Sequence, residues 1–277
     1  MSLRCSRMRY VNDLPIYAAI DAGVVAYPGT LLADVPARLN AMMRAGELDM
    51  GPVSAFEYAQ NASAYALLPD LCIGAREELV SVLLISKTPP ALLSGARIAT
   101  TPESASGRNL LRILLERRYG VHAHCAASDD PLEEARRGVP AMVIGDAAID
   151  AAFEFPTEQV YDLGALWRDW TGEQSVTAVW VARREAFEQR CGEVRACLHA
   201  LTDAYSWGRA NLDAVIAQAQ RTKPRPAGFY EIYYGKLNFT FHSAAQRGLA
   251  AYCRELAALG AIDAVPSCIP EVTGVAP

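Results

Sequence analysis

The chain has 277 residues, of which 52% are hydrophobic, and its formal net charge is −5. This length is sufficient for one large domain or for two lobes of ordinary size. The basic residues are scattered, which argues against nucleic acid as a partner, and no uninterrupted apolar stretch reaches the length of a membrane span. We therefore expect a small-molecule partner, with no nucleic acid and no membrane.

The cysteines and the N-terminal segment indicate where the protein works. Seven cysteines lie far apart and form no C-x-x-C pair, a pattern typical of reduced thiols. The first ten residues, MSLRCSRMRY, contain no apolar stretch of the kind that a secretory signal needs. Both features predict a cytoplasmic protein.

Short apolar runs alternate with helical patterns in the first third of the chain. Strands are predicted at MRYVN, GVVAYPG, ELDMGPVS, LCIG and LVSVLLIS, and a helix at LLADVPARLNAMMRAG, which Pro36 interrupts. This alternation is typical of βαβ units and a mainly parallel sheet. Residues 87–95, KTPPALLSG, break the pattern with two prolines, as a linker does.

A second α/β set follows this linker. It contains ARIATT, the helix NLLRILLERRYG, the strand HAHCAA, the helix PLEEARRG and the strand AMVIGD, and QVYDLG and SVTAVWVARR close it. Apolar residues at helical spacing predict helices over 184–208 and 243–262, and the tail from 265 is predicted to be irregular. Two α/β sets with a helical return predict two lobes with a ligand cleft between them.

Asn12 and Asp13 stand at the end of the first predicted strand, where the chain passes to the next element. In open α/β sheets, ligands bind outside the carboxyl ends of strands. An amide both donates and accepts hydrogen bonds, so Asn12 is suited to hold a substrate hydroxyl and a carboxylate oxygen together. The alternative is an Asx-turn with Asp13.

Ser104, Ser106 and Gly107 immediately precede a helical run of leucines. A helix start offers unpaired backbone N–H groups and a positive dipole end, and serine hydroxyls add donors. Together they hold a carboxylate or phosphate without a lysine. The alternative is ordinary helix capping, by serine or by Thr101-Pro102-Glu103 with proline at the first helical position.

Other small polar residues occupy comparable places in the chain. Ser54 precedes a predicted helix, where it either meets a ligand or caps the helix, with Glu57 completing a capping box. Ser81 lies in an apolar strand, where backbone satisfies its hydroxyl or the hydroxyl points into the cleft. Gly145 permits close backbone approach, and Asp146 either caps the next helix, which we favour, or faces the ligand.

Metal and cofactor motifs are missing from the sequence. The segment HAHC provides His122, His124 and Cys125, but no second cluster has the spacing of metal ligands. There is also no G-x-S-x-G, no P-loop and no complete G-x-G-x-x-G. We therefore expect neither a metal nor a cofactor.

Segments along nearly the whole chain resemble one family, the chorismate dehydratases of menaquinone biosynthesis (the futalosine pathway). The matching segments are, in order, YVNDLPIY, LDMGPVSAFEYAQNA, LLPDLCIG, SVLLISKTPP, GARIATTPESASGRNLLRILL, AMVIGDAAI, VYDLGALWRDWTG, AVWVARR and YYGKLNFTF. The resemblance implies an α/β, two-lobed, type 2 periplasmic-binding-protein-like fold, with mixed sheets flanked by helices and a ligand cleft. We expect residues 1–87 and 181–277 to form lobe I and residues 88–180 to form lobe II.

The resemblance also implies an activity and a set of site residues. A hydro-lyase of this kind removes water from chorismate, a dianion, to give 3-[(1-carboxyvinyl)oxy]benzoate. Asn12 is then the catalytic candidate, because its amide orients the substrate and assists the departing hydroxyl. The substrate-binding candidates are Ser54, Ser81, Ser104, Ser106, Gly107, Gly145 and Asp146.

Two other functions compete with this one. A non-catalytic binding protein for a small carboxylate anion has the same fold, and fold alone does not decide between them. The family also resembles 1,4-dihydroxy-6-naphthoate synthase, which uses a histidine base, but no histidine here stands in a matching motif. The dehydratase is the favoured interpretation and the anion-binding protein is the alternative.

The chain departs from the family pattern at a few places. It has Glu173-Gln174-Ser175 where an apolar stretch is frequent, and Glu77-Glu78 in a loop that often contains glycine. Ala55 and Ala105 stand where larger or polar residues are common, and Gly107 replaces a frequent serine. These departures affect the shape of the pocket and its substrate more than the fold.

Overall fold

Two mixed β-sheets organise the chain. The computed structural model describes residues 2–271. The six-stranded sheet has the order β11-β4-β10-β3-β1-β2, with strands β1 Arg4–Met8, β2 Thr30–Asp34, β3 Met50–Ser54, β4 Tyr65–Ala75, β10 Ser175–Arg183 and β11 Leu237–Thr240. The five-stranded sheet has the order β7-β6-β8-β5-β9, with strands β5 Val82–Ile85, β6 Arg97–Thr100, β7 His124–Ala127, β8 Ala141–Ile144 and β9 Val160–Asp162.

Helices connect the strands and flank both sheets. They are α1 Leu14–Asp21, α2 Pro36–Arg44, α3 Ala55–Asn61, α4 Ala105–Ile113, α5 Pro131–Arg136, α6 Gly145–Glu154, α7 Leu163–Thr171, α8 Arg184–Gln189, α9 Cys191–Ala210, α10 Leu212–Thr222, α11 Phe229–Lys236 and α12 Ser243–Ala258. A π-helical turn, Leu114–Arg118, continues α4. Between residues 2 and 271, no helix is both long and apolar enough to cross a membrane.

Strand directions are mixed in both sheets. β1 is parallel to β2 and β3, whereas β10 is antiparallel to β3 and β4. In the second sheet β6 is parallel to β7 and β8, and β5 is antiparallel to β8 and β9. The βαβ spacing therefore predicted the parallel part of each sheet, but not the antiparallel strands that cross over from the other half of the chain.

The chain passes between the sheets earlier than the sequence predicted. The predicted lobes were 1–87 with 181–277, and 88–180. Strand β5 lies in the first range but pairs in the second sheet, and β10, which the 180/181 boundary divides, lies wholly in the six-stranded sheet. Residues 79–85 contain no glycine or proline that would mark the point where the chain passes from one sheet to the other. We propose lobe limits between Ala75 and Val82 and between Asp162 and Ser175.

Three predicted elements are wrong in detail. Residues 23–29 form no strand, and the strand Thr30–Asp34 occupies the start of the predicted helix, which begins only at Pro36. The proline ring fixes φ for the first helical position and disfavours helical backbone in the residue before it. The helix predicted over 184–208 is divided at Arg190 into α8 and α9. In the tail, 265–270 is irregular, and 272–277 lies outside the described residues.

The apolar core divides at the second sheet. Val82 and Leu84 of β5 join the main core, whereas Leu83 and Ile85 join a smaller core on the opposite face. This alternation follows from the two-residue period of a strand, because successive side chains point to opposite faces. The second sheet is thus covered by apolar side chains on both faces.

Candidate active site between the two sheets

One cavity is lined by residues from both sheets and from the helices that follow them. Seven of the eight residues singled out from the sequence line it: Asn12, Ser54, Ser81, Ser104, Ser106, Gly107 and Gly145. The eighth, Asp146, is not among its lining residues. The structure therefore brings most of the predicted site into one place, although these residues are spread over more than 130 positions of sequence.

The cavity is suited to an anion. Helices α3, α4 and α6 begin at Ala55, Ala105 and Gly145, next to or within the lining. Each start contributes the positive end of a helix dipole, although Glu57 N, Gly107 N and Gly145 N already donate hydrogen bonds within the protein. Among the described lining residues there is no lysine or arginine, and Glu103 is the single acidic one. Backbone and hydroxyl donors therefore dominate the electrostatics of this cavity.

Asn12 lies in a short 3₁₀ turn, Val11–Asp13, that follows β1. Its Oδ1 atom is buried and has no hydrogen-bond partner among the described residues, so the alternative of an Asx-turn is not formed. A buried acceptor without a partner costs free energy. Since Asn12 lines the cavity, a ligand hydroxyl there would satisfy it.

Ser54 is both a helix cap and a cavity residue. Its Oγ accepts hydrogen bonds from Glu57 N, at 3.2 Å, and from Asn40 Nδ2, at 3.1 Å. The expected capping box is not formed, because Asn40 Oδ1, not Glu57, accepts from Ser54 N. Glu57 instead accepts from Tyr65 Oη at 2.8 Å. With two bonds accepted, the Ser54 hydroxyl proton is left to be donated.

Removing this hydroxyl has two separable effects. We expect Ser54→Ala to lower the free energy of unfolding by about 1 kcal/mol, the usual cost of a lost N-cap, and also to raise the Kd for an anionic ligand several-fold. Chemical denaturation and calorimetric titration measure the two quantities. Asp130→Ala is the matched control, because Asp130 caps α5 through Glu133 N, at 2.9 Å, and does not line the cavity.

The binding role would be contradicted if wild type and Ser54→Ala had the same Kd for the anion. If Ser54→Ala and Asp130→Ala then also lowered the free energy of unfolding equally, Ser54 would have a capping role only.

Ser104 and Ser106 divide their tasks at the start of α4. Ser104 Oγ accepts from Gly107 N at 3.1 Å and is the N-cap, which decides against a cap at Thr101-Pro102-Glu103. Ser106 Oγ accepts from Phe56 N, in α3, at 2.8 Å. This second bond joins the two helix starts across the cavity. The capping interpretation is confirmed for Ser104, and the ligand-facing interpretation of this segment stays a prediction.

Ser81 and Gly145 meet on the second sheet. Gly145 N donates to Ser81 O at 2.8 Å, and the Ser81 hydroxyl donates to Leu79 O at 3.3 Å. Gly145 has a φ of +58°, and a Cβ there would lie 3.3 Å from the Tyr10 ring. Glycine is needed at this position both for the left-handed backbone and for the close approach of that ring.

Asp146 has a different role from the two that the sequence allowed. The N-cap of α6 is Ile144, and Asp146 lies within the first turn. Its Oδ1 lies 3.7 Å from a guanidinium nitrogen of Arg225, and Arg225 also forms an ion pair with Asp150. The predicted cap is wrong, because strand β8 leads directly into the helix and leaves no loop position for Asp146.

Tyr10, Glu103 and Thr177 also line the cavity but were missed from the sequence. Tyr10 Oη donates to Glu103 Oε2 at 3.1 Å and so connects the two sides of the cavity. Burial raises the pKa of Tyr10, so its hydroxyl stays protonated and is able to donate. Thr177 Oγ1 donates to Ile73 O at 3.0 Å. Only the position of Tyr10, two residues before Asn12, could have indicated one of them.

Asp13 is a buried residue of the same 3₁₀ turn as Asn12. Burial raises the pKa of its carboxyl to about 7, although Arg7 opposes that shift from 3.4 Å. The same guanidinium lies 2.6 Å from Asp21, and Asp13 Oδ2 has no hydrogen-bond partner within the described part of the chain. An unsatisfied buried oxygen favours the neutral carboxyl. Asp13 therefore titrates near neutral pH.

The candidate metal ligands do not assemble. In the part of the chain that the structure describes, no group of three His, Cys, Asp or Glu side chains could hold a metal ion. His124 is the first residue of the edge strand β7 and His122 precedes it, and both are exposed. His122 Nδ1 lies 3.9 Å from Glu116 Oε2.

The fold and the cavity define a class of protein. A solved structure from Archaeoglobus fulgidus superposes with a TM-score of 0.75 at 16% identity, covering 94% of this chain and 98% of that one. The periplasmic aliphatic sulphonate binding protein of Escherichia coli superposes with a TM-score of 0.67 at 15% identity, covering 99% and 94%. The predicted periplasmic-binding-protein-like fold is confirmed: two mixed sheets with helices around them and a cavity between them.

Sequence comparison identifies the family within that class. The family model for menaquinone biosynthesis matches residues 3–258. A chorismate dehydratase of Thermus thermophilus is 30% identical over 266 residues, covering 89% of this chain and 95% of that one. The chain belongs to the menaquinone-biosynthesis family, as the matching segments predicted.

Proposed function

We propose that this protein is a chorismate dehydratase, a hydro-lyase that converts chorismate to 3-[(1-carboxyvinyl)oxy]benzoate and water. One structural observation carries the proposal. Three helix starts and several serine hydroxyls converge on one cavity whose described lining has no basic side chain. Such a site binds a small anion through backbone and hydroxyl donors. Membership of the family and the similarity to a chorismate dehydratase supply the substrate.

The substrate matches this arrangement of donors. Chorismate carries two carboxylates, one on the ring and one on the enolpyruvyl ether. One of them is suited to the start of α4 beside Ser104 and Ser106, and the other to Ser54 and the start of α3. The two starts belong to opposite sides of the cavity and are joined by the Ser106 to Phe56 hydrogen bond. A dianion that contacts both starts therefore bridges the two sides of the cavity.

The reaction needs little acid–base machinery from the protein. Loss of a ring proton and of the neighbouring hydroxide makes the ring aromatic, so the chemistry is strongly favourable. We propose that the enolpyruvyl carboxylate of the substrate takes the ring proton. The cavity then acts mainly by holding that carboxylate against the ring carbon, which is catalysis by positioning.

Asn12 is the proposed catalytic residue. Its unpartnered Oδ1 is available to orient the ring hydroxyl, and its N–H group is available to donate to the oxygen as it departs. Charge that develops on the leaving oxygen is stabilised best by donors that are already in place. The short turn after β1 fixes this amide, because Tyr234 Oη donates to Val11 O at 2.9 Å beside it.

Incubation with chorismate tests the proposal directly. We expect ultraviolet absorbance of an aromatic benzoate to appear in step with chorismate consumption, with one product formed per substrate. The assay is run without added metal or cofactor, as predicted from the sequence. If chorismate raises the melting temperature but no aromatic product forms, the protein is a non-catalytic carboxylate-binding protein, the alternative that its fold also permits.

We also propose that the protein works in the cytoplasm, as expected for a biosynthetic enzyme with reduced cysteines. All seven cysteines are free thiols in the structure. Fractionation of cells, followed by detection of the protein in the soluble cytoplasmic fraction, tests this.

A further inference from the structure

A second cavity, of about 490 Å³, lies along the edge strand β11 of the six-stranded sheet. Its walls come from β11, from the ends of α9 and α11, and from the residues that follow β4 and β11. Of its described lining residues, Leu237 alone also lines the candidate active site. We call this space the β11 cleft. Its volume is sufficient for a small metabolite.

Two arginines line the β11 cleft. Arg76 follows strand β4 and Arg209 lies in the last turn of α9, and both side chains are exposed. Between residues 2 and 271, neither guanidinium has an ion-pair partner or a hydrogen-bond acceptor, although Glu231 also lines the cleft. A guanidinium without a partner is available to bind the oxygens of a carboxylate or a phosphate.

The hydroxyl of Tyr205 adds a third donor to the cleft. Burial raises the pKa of Tyr205, and the positive charges of Arg209 and Arg76 oppose that shift, so both guanidiniums lie within electrostatic range of the hydroxyl. The guanidinium carbon of Arg209 lies 6.0 Å from the centre of the Tyr205 ring. Tyr205 Oη has no hydrogen-bond partner in the described part of the chain. The group stays protonated and is free to donate to an anion.

Apolar side chains stand beside these donors. The rings of Tyr205 and Phe239 contact each other, with centroids 5.6 Å apart, and Leu212 and Leu237 complete this part of the lining. Aromatic and aliphatic walls favour a flat, apolar group. A ligand that satisfies both parts of the cleft therefore carries a ring and an acidic group in one small molecule.

The β11 cleft adjoins the turn that holds Asn12. Tyr234 lines the cleft, and its Oη donates to Val11 O at 2.9 Å within that turn. Pro15, in the first turn of α1, lines the cleft as well. A ligand in the cleft therefore lies beside two residues that border the Asn12 turn.

We propose that the β11 cleft is a second binding site, which takes a small aromatic acid as an effector of the candidate active site. The acidic group, a carboxylate or a phosphate, binds to Arg76, Arg209 and the Tyr205 hydroxyl. The ring packs against Phe239 and Leu212. Binding at this site does not depend on the proposed function, whereas an effect on chorismate conversion rests on it.

Three naphthalene compounds test the binding. We expect 1-naphthoate and 1-naphthyl phosphate, titrated calorimetrically into the full chain, to bind at least about ten-fold more tightly than the neutral 1-naphthamide. Arg76→Gln and Arg209→Gln should each weaken the acids by about ten-fold or more, the usual effect of one lost hydrogen bond to a charged group. Whichever acid binds more tightly identifies the preferred acidic group. Any binding in the candidate active site should persist in both variants, because neither arginine lines it.

Two further variants act as controls. Arg195→Gln makes the same change at an exposed arginine of α9 that does not line the cleft, and it should retain full affinity. Glu231→Gln removes a carboxylate from the lining and should tighten binding of the acids by about two-fold, a gain that misfolding does not produce. Equal affinity for the acids in wild type, Arg76→Gln and Arg209→Gln would overturn the proposal. Binding of the amide as tightly as the acids, or no binding of either acid at millimolar concentration, would also overturn it.

Chorismate turnover separates this proposal from the proposed function. Saturating 1-naphthoate should change kcat or KM in wild type more than in the double variant Arg76→Gln/Arg209→Gln. If both proteins respond equally although the acid binds through the arginines, the effector role falls. If chorismate is not converted but the acids bind as described, the binding site stands and the proposed function falls. If chorismate is converted and the acids do not bind, the binding site falls and the proposed function stands.

Discussion

Asn12→Ala should lower kcat for chorismate dehydration by about 100-fold to 1000-fold, the usual cost of one lost donor to a developing oxyanion. Stability should not fall with it. Asn12 Oδ1 is buried without a partner, so truncation removes an unsatisfied group and breaks no observed hydrogen bond of that atom. Stopped assays of product absorbance and urea unfolding of the same protein measure both quantities.

Asn211→Ala is the matched control for this change. Asn211 is exposed, and its Nδ2 donates to Trp207 O at 2.8 Å at the end of α9, outside the cavity lining. That variant should lose a small amount of stability and retain full activity, the opposite of Asn12→Ala. Turnover by Asn12→Ala close to that of wild type would remove Asn12 from the mechanism.

Asp13→Asn should remove a large pH dependence of stability. Burial raises the pKa of the Asp13 carboxyl from 3.8 to about 7 in the folded protein. A raised carboxyl pKa contributes stability that is fully present below the unfolded value and is lost as pH rises through about 7. Between pH 5 and 8 the wild type should therefore lose roughly 2 to 3 kcal/mol that the neutral amide does not lose.

Urea unfolding at several pH values from 5 to 8 checks this prediction. The unfolding free energy of Asp13→Asn, relative to wild type, should rise steadily across the range, because the wild type must ionise a buried group. Arg7 keeps its contact with Asp21 in the variant, at 2.6 Å in the parent structure. Asp129→Asn, at an exposed carboxyl, is the control. Parallel stability curves for wild type and Asp13→Asn would show that Asp13 is ionised throughout.

Sequence patterns predicted the helix N-caps of the site correctly, because all the residues that form such a cap lie within one short segment. The Ser104-x-x-Gly107 start of α4 and the Ser54 start of α3 are both caps, because an N-cap needs only a hydroxyl and an N–H three residues later. The same segments also line the cavity. A capping residue can therefore also line the cavity, so capping was no argument against a binding role.

The errors occurred where distant contacts decide the outcome. Glu57 has the spacing of a capping box, yet it contacts Tyr65 and Arg44 because the neighbouring strand and helix bring those groups close. Asp146 pairs with Arg225, which lies 79 positions later in the chain. Strand β5 joins the second sheet through pairing with β8 and β9. None of these partners is visible in a local window.

By itself the sequence determined the α/β class, the two-set organisation, several of the helix starts and, through its resemblance, the family. Those properties depend on short-range periodicity and on segments that match in order. The tertiary structure alone decided which residues share the cavity and that Tyr10 and Glu103 meet across it. Such features depend on how the two sheets pack against each other. That packing is determined by contacts between residues that are far apart in the chain.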